Sequence, residues 1–93
     1  MKRNYLVGYD ISDDRRLAKV AKTMKGFGYR LQYSFFHCCL SDKQKNRMKE
    51  ALKKIILDEE DQVIILPVTE KQLVELEFIG VKTQIALEGV IIV

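Results

Sequence analysis

The apolar positions of this chain fall into two periodicities that alternate along its length. Residues 4 to 11 read as a strand, with Tyr5, Val7 and Tyr9 pointing one way and Leu6, Gly8 and Asp10 the other. The period then becomes helical, with Leu17, Val20, Ala21 and Met24 at i, i+3, i+4 and i+7. Ser12 is the expected N-cap. Asp13 and Asp14 fall in the first turn, where acids complement the helix dipole, which assigns them to the helix rather than to a metal. Gly26 and Gly28 are expected to end this helix and turn the chain.

Residues 30 to 40 are rich in aromatic side chains and predict a second strand. Leu31, Tyr33, Phe35, His37 and Cys39 share one face; Gln32, Ser34, Phe36, Cys38 and Leu40 share the other. Both faces carry large apolar groups, so both need a cover: helices on one side, a second subunit on the other. Ser41-Asp-Lys-Gln44 has the form of a capping box and opens a second helix to about residue 57, with Met48, Ala51, Leu52 and Ile55 as its apolar stripe. The acidic run Asp58 to Asp61 breaks that pattern, and Val63 to Val68 follow as a third strand. Pro67 lacks a ladder donor and places that strand at an edge or a bulge. Thr69 to Gln72 repeat the capping-box form and predict a single helical turn, followed by a short strand over Val74 to Ile79 that Gly80 stops. Gly89 to Val93 form a terminal apolar strand, whose unpaired edge is an aggregation hazard that pairing with a partner subunit would remove.

This order, strand-helix-strand-helix-strand-strand with a terminal extension, predicts an α+β fold. The nearest architecture is a ferredoxin-like sandwich, an antiparallel sheet with two helices on one face, in which the long second strand bends and acts as two. The 93 residues make one domain, with a core over about 1–80 and a C-terminal strand over about 86–93. A chain of this size buries only about two thirds of its unfolded surface, so a homodimer would add to a modest stability. The N-terminus enters a strand directly, without a signal-peptide apolar region, and no apolar run reaches membrane-spanning length, so the chain reads as cytoplasmic and not membrane-bound. The adjacent Cys38 and Cys39 suit a reducing compartment better than a structural disulfide.

Net charge matters only once it is divided along the chain. Residues 15 to 54 hold twelve Lys or Arg against Asp42 and Glu50, whereas residues 58 to 93 hold eight acids against Lys71 and Lys82. The basic groups lie on the two predicted helices: Arg15, Arg16, Lys19 and Lys22 on the first, Lys43, Lys45, Arg47, Lys49 and Lys53 on the second. Such a segment suits a polyanion, and nucleic acid is the partner it points to; a plain solvated face is the alternative. If six of these groups met duplex phosphates, affinity would fall with salt at a log-log slope of about −5. No base-reading helix or stacking platform stands out, which predicts sequence-independent binding.

Asp10 is the residue that asks for chemistry. An acid ending a buried strand is costly to desolvate unless a cation or hydrogen bonds meet it. It is either a hydrogen-bonded strand end or a metal ligand. His37-Cys38-Cys39 contains zinc-ligand types, but strand neighbours point to opposite faces and no second Cys/His pair completes a tetrahedron. His37 is read as a structural histidine, with an acid-base role as the alternative.

Tyr9-Asp10-Ile11 after an apolar strand, the basic first helix, Gly28-Tyr-Arg30-Leu-Gln-Tyr-Ser34-Phe-Phe36, and Pro67-Val-Thr-Glu-Lys71-Gln with a later Ile79-Gly80 together resemble the CRISPR-associated Cas-two (Cas2) family over nearly the whole chain. The resemblance implies a ferredoxin-like homodimer whose C-terminal strand adds to the partner's sheet. It implies that Asp10 and its copy in the second subunit face each other and hold Mg²⁺ or Mn²⁺, making Asp10 both metal ligand and catalytic residue, with Tyr9, Arg16, Arg30, Ser34 and Phe36 in support. Some members cut RNA or DNA in this way. Others serve as a central dimer that binds duplex DNA beside the Cas-one integrase. Two functions therefore follow: a metal-dependent endonuclease, or a non-catalytic DNA-binding scaffold for spacer acquisition. A toxin-like ribonuclease of related fold is a third reading. The family often has an acid where His37 stands here.

Overall fold

A computed structural model of the chain describes residues 1–80, together with the backbone of residues 85–87 and 90–92. The elements are β1 (Arg3–Asp10), α1 (Asp14–Lys25), β2 (Gly28–Gln32), β3 (Phe35–Leu40), α2 (Asp42–Lys53), β4 (Gln62–Val68), α3 (Glu70–Val74), β5 (Ile85–Leu87) and β6 (Val90–Ile92). The first four strands form one antiparallel sheet in the order β2-β3-β1-β4. With β1 and β3 central and the two long helices on one face, this is the expected ferredoxin-like α+β sandwich.

The core lies between that sheet face and the helices. Tyr5 and Val7 of β1, Phe36 and Cys38 of β3, Val20 and Met24 of α1, and Met48 of α2 are fully buried there, joined by Tyr9, Leu40 and Leu52. Each such side chain contributes about 1.5–3 kcal/mol of burial free energy. The β1 alternation is as the sequence predicts: its even positions, Leu6, Gly8 and Asp10, turn to the opposite face.

The stretch 30–40 is two strands. Tyr33 and Ser34 form the turn between β2 and β3, and the register shifts between Arg30 and Gln32. Antiparallel strands can be joined by two residues, so one long apolar run supplies both. The Tyr9 amide donates to the Ser34 carbonyl at 3.1 Å and the Tyr9 hydroxyl to the Tyr33 carbonyl at 3.2 Å, which ties the turn to the end of β1. β2 begins at Gly28, which does not end the helix: it packs so closely on β3 that a Cβ would fall on the His37 carbonyl oxygen and within 2.6 Å of Cys38 Sγ. Gly26 alone is the C-cap of α1.

Helix starts depart from expectation once. Asp13, not Ser12, caps α1, its Oδ2 accepting from the Arg16 amide at 2.9 Å. Both capping boxes form: Ser41 with Gln44 on α2, and Thr69 with Gln72 on α3. The second helix stops at Lys53 rather than near 57. The Ile55 and Ile56 amides both donate to the Leu52 carbonyl at 3.0 Å, and both side chains pack on the core.

Pro67 sits on β4, an edge strand, as its missing donor requires. The strand expected over Val74 to Ile79 is absent: α3 takes Val74, and the following residues cross the second sheet face without a ladder. Leu76 and Phe78 still point inward, packing with Leu6, Val68 and Leu73 around Leu31. The alternation reported burial there, not pairing. The terminal strand is present as β6 and pairs antiparallel with β5 of the same chain, so it is not unpaired; Gly89 and Val93 of the expected span lie outside the described residues.

Candidate active site

Asp10 ends β1 in register with Gln62 of β4 and is exposed. The desolvation cost expected of a buried acid therefore does not arise. Among the described residues no hydrogen bond or ion pair holds its carboxylate, which removes the hydrogen-bonded strand-end reading within those residues. Asp10 lies on the rim of two hollows. One, of about 520 Å³, is bounded by Leu17 and Ala21 of α1 and by Arg30, Tyr33 and Ser34. The other, of about 210 Å³, is bounded by Gly8, Phe35, Gln62 and Ile64.

The residues expected to support Asp10 separate into two groups. Tyr9, Arg30, Ser34 and Phe36 come together beside it. The Tyr9 ring stacks on Phe36 with centroids 6.2 Å apart, and the guanidinium of the exposed Arg30 sits 5.4 Å from the Phe36 centroid. Phe36 is a buried platform, so it shapes the site without facing it. Leu17 and Ala21, assigned from spacing to the core stripe, instead line the larger groove.

Arg16 is not in that group. Its Nε donates to Asp61 Oδ2 at 2.8 Å and its Nη2 to Asp61 Oδ1 at 3.2 Å and Glu60 Oε1 at 3.3 Å. The Asp61 side chain is wholly buried. Arg16, followed by the amides of Leu57 and Ser12, holds the Asp61 carboxyl well below the usual carboxylate range, while burial opposes the shift; the same hydrogen bond raises the pKa of Arg16. The sequence reading missed Asp61, treating the acidic run as a break. The available signal was an acid placed directly before an apolar strand.

Of the nine helix cations expected at a nucleic-acid surface, Arg15, Lys19, Lys22, Lys43, Arg47, Lys49 and Lys53 are exposed. Arg16 is taken by Asp61, and Lys45 is half-buried, with its Nζ 4.8 Å from the Tyr5 ring centroid. Lys53 lies 3.6 Å from Glu50 on the surface. His37 is buried, its Nε2 2.9 Å from Asn4 Oδ1, which fits a structural role. Cys38 faces the core and burial pushes its thiol up to about 12, so it is neither nucleophile nor ready metal ligand.

As a donor set for a metal, the site offers one carboxylate with both oxygens open. No group of three or more His, Cys, Asp or Glu side chains placed to hold a metal occurs among the described residues. This fits magnesium, which is commonly held by one or two carboxylates with waters and phosphate oxygens, and not a closed protein cage.

The family model described as CRISPR associated protein Cas2 matches residues 3–75. The chain belongs to this family. It is 40% identical over 76 residues to the CRISPR-associated endoribonuclease Cas2 3 of Synechocystis, covering 82% of this chain and 83% of that protein. It is 42% identical over 80 residues to the CRISPR-associated endoribonuclease Cas2 2 of Thermodesulfovibrio yellowstonii, covering 86% and 88%. Among solved structures, Streptococcus pyogenes Cas2 at pH 6.5 superposes with a TM-score of 0.77 at 27% identity, covering 83% of this chain and 99% of that one. The hypothetical protein TT1823 of Thermus thermophilus gives 0.74 at 29%, covering 100% and 98%. The Cas2 match spans β1 through α3, and so includes Asp10, Arg30 and Asp61.

Proposed function

We propose that this Cas2-family chain is a homodimeric, metal-dependent endonuclease whose reactive carboxylate is Asp10, with single-stranded RNA as the first substrate to test because the named relatives are endoribonucleases. The observation that carries the reading is an exposed aspartate at a strand end, with no partner among the described residues, beside a groove bearing Arg30. A carboxylate paired inside its own chain would be spent on structure. This one is open to a ligand.

One chain supplies one such carboxylate, and a two-fold dimer supplies a second. Support for the dimer comes from the sheet face opposite the helices, where Ile64 and Leu66 are 58% and 53% exposed and Phe35 is 39% exposed, next to Asp10. The outer edge of β6, unpaired among the described residues, suits addition to the partner's sheet. Asp10 and its copy would hold Mg²⁺ or Mn²⁺, which when bound supplies Lewis-acid polarisation of the phosphodiester. Arg30 adds fixed positive charge on the groove side, where a substrate phosphate would lie. Tyr9 and Phe36 hold the strand end beneath it, and the Tyr33-Ser34 turn forms the far wall.

The test is cleavage of a short single-stranded RNA with and without Mg²⁺ or Mn²⁺. Asp10→Asn is expected to abolish cleavage while light scattering still reports a dimer; retained cutting would sink the assignment. A second reading, a non-catalytic duplex-DNA scaffold for the Cas-one integrase, draws on the exposed cations of α1 and α2. In that case charge reversal at Lys43, Arg47 and Lys49 lowers DNA binding and Asp10→Asn does not. Lys45 is left out of that set because its loss would also strip packing from Tyr5.

A further inference from the structure

The Arg16–Asp61 pair is more elaborate than an ordinary helix contact. Asp61 Oδ1 accepts from the Ser12 amide at 3.0 Å, from Ser12 Oγ at 3.3 Å and from Arg16 Nη2 at 3.2 Å; Oδ2 accepts from Arg16 Nε at 2.8 Å and from the Leu57 amide at 2.9 Å. Arg16 Nη2 also donates to Ser12 Oγ at 3.2 Å, and the single Ser12 hydroxyl proton is shared between Asp61 Oδ1 and, at 3.1 Å, Glu60 Oε1. A buried ion pair is weak as a source of stability, because desolvation opposes the Coulombic gain. What this one does is fix geometry.

The points it fixes flank Asp10. Ser12, two residues beyond Asp10, is bound to Asp61 through its amide. Gln62, the residue after Asp61, is the register partner of Asp10 on β4. The end of β1 is thus held on both sides by one carboxylate and its immediate neighbour. Arg16 has its Nε–Nη2 edge committed to Asp61, with Nη2 also turned to Glu60 and Ser12, so only Nη1 is left to meet a phosphate.

We propose that the Arg16–Asp61 clasp, with Ser12, is the positioning device for Asp10, and that Arg16 acts through Asp61 rather than on substrate. This rests on Asp10 being the reactive carboxylate. A positioning loss of even an ångström at a reacting group can cost about a hundredfold in rate, so a remote isosteric change is expected to show in kcat.

The experiment compares Asp61→Asn, Arg16→Gln, Arg16→Lys and the double variant Asp61→Asn/Arg16→Gln in Mg²⁺-dependent RNA cleavage, well below the melting temperature of each. Leu52→Ala, a core change under α2, serves as a destabilised control. Asp61→Asn and Arg16→Gln are each expected to lower kcat by about tenfold to a hundredfold with KM held within about twofold, and the double variant to be no worse than either single. Arg16→Lys is expected to fall with them, since an ammonium cannot span both Asp61 oxygens. Hydrogen exchange gives a readout independent of activity: Asp61→Asn speeds exchange of the Ser12 amide, and Leu52→Ala does not. Wild-type kcat in Asp61→Asn with loss in Arg16→Gln would mean that Arg16 meets the phosphate, and overturns the proposal; so does an equal loss in Leu52→Ala. Full activity of Asp10→Asn overturns the site reading and this inference with it, whereas loss in Asp10→Asn beside wild-type kcat in Asp61→Asn overturns this inference alone. If Asp61→Asn does not fold, Arg16→Lys carries the test by the same kcat and exchange criteria.

Discussion

Asp10 and Asp61 show how far one residue type is governed by its surroundings. Asp10 is exposed and open to a ligand, whereas Asp61 is enclosed by Arg16 and two backbone amides. For Asp61 the folded-state pKa is depressed, so its stabilising effect is complete above the unfolded value near about pH 4 and is lost as pH falls through the folded one. Urea unfolding is therefore expected to separate wild type from Asp61→Asn at about pH 7, with the difference shrinking as the pH drops below about 4. A difference independent of pH would contradict the pairing. Gly28 carries a second residue-scale prediction. Because a Cβ there meets the His37 backbone carbonyl first and the fully buried Cys38 Sγ next, neither of which has room to give, Gly28→Ala is expected to lose about 1–3 kcal/mol in chemical denaturation, by overpacking. Gly8→Ala, whose added carbon would lie 3.5 Å from the Phe35 ring, should fold with little loss.

Elements were legible where a local signal sufficed. Both capping boxes and the β1 alternation are read directly from residue order, because each depends on neighbours within one turn or one strand. Ser41→Ala should cost about 1 kcal/mol of stability by removing the acceptor for the Gln44 amide, and Thr69→Ala about the same or less, since its box is exposed. Calorimetric melting temperatures check both. The failures are equally physical. Residues 30 to 40 carry strand chemistry throughout, and only the tie between Tyr9 and the Tyr33-Ser34 turn shows where the run folds back. Val74 to Ile79 alternate because Leu76 and Phe78 cover a sheet face, which requires no ladder. Ser12 has the side chain of an N-cap but is drawn to Asp61, distant in sequence, leaving Asp13 to cap α1.

Among the described residues, the exposed cations of α1 and α2 and the exposed apolar side chains Ile64, Leu66 and Phe35 of the sheet lie on different faces. For the proposed dimer, Ile64→Glu combined with Leu66→Glu is expected to give a folded monomer by light scattering and circular dichroism, with RNA cleavage lost along with the second Asp10. A dimer that survives both changes would place the interface elsewhere. With Arg16 and Lys45 engaged internally, Arg16→Gln should leave the log-log salt slope of duplex binding unchanged, while Lys43→Glu with Arg47→Glu should make it shallower by about two.

The opening strand and its buried face, the two long helices, the two capping boxes, the basic middle of the chain and Asp10 as the residue of interest were determined by the sequence, since each rests on periodicity, local hydrogen bonding or composition. Tertiary structure decided which charges are free. Helical spacing places Arg16 and Lys45 among their neighbours as surface cations. Only the fold brings Asp61 to one and the Tyr5 ring to the other, across separations in the chain that no local pattern encodes. Desolvation depends on everything that packs around a group, so the same rule that flagged Asp10 as costly applied to Asp61 instead.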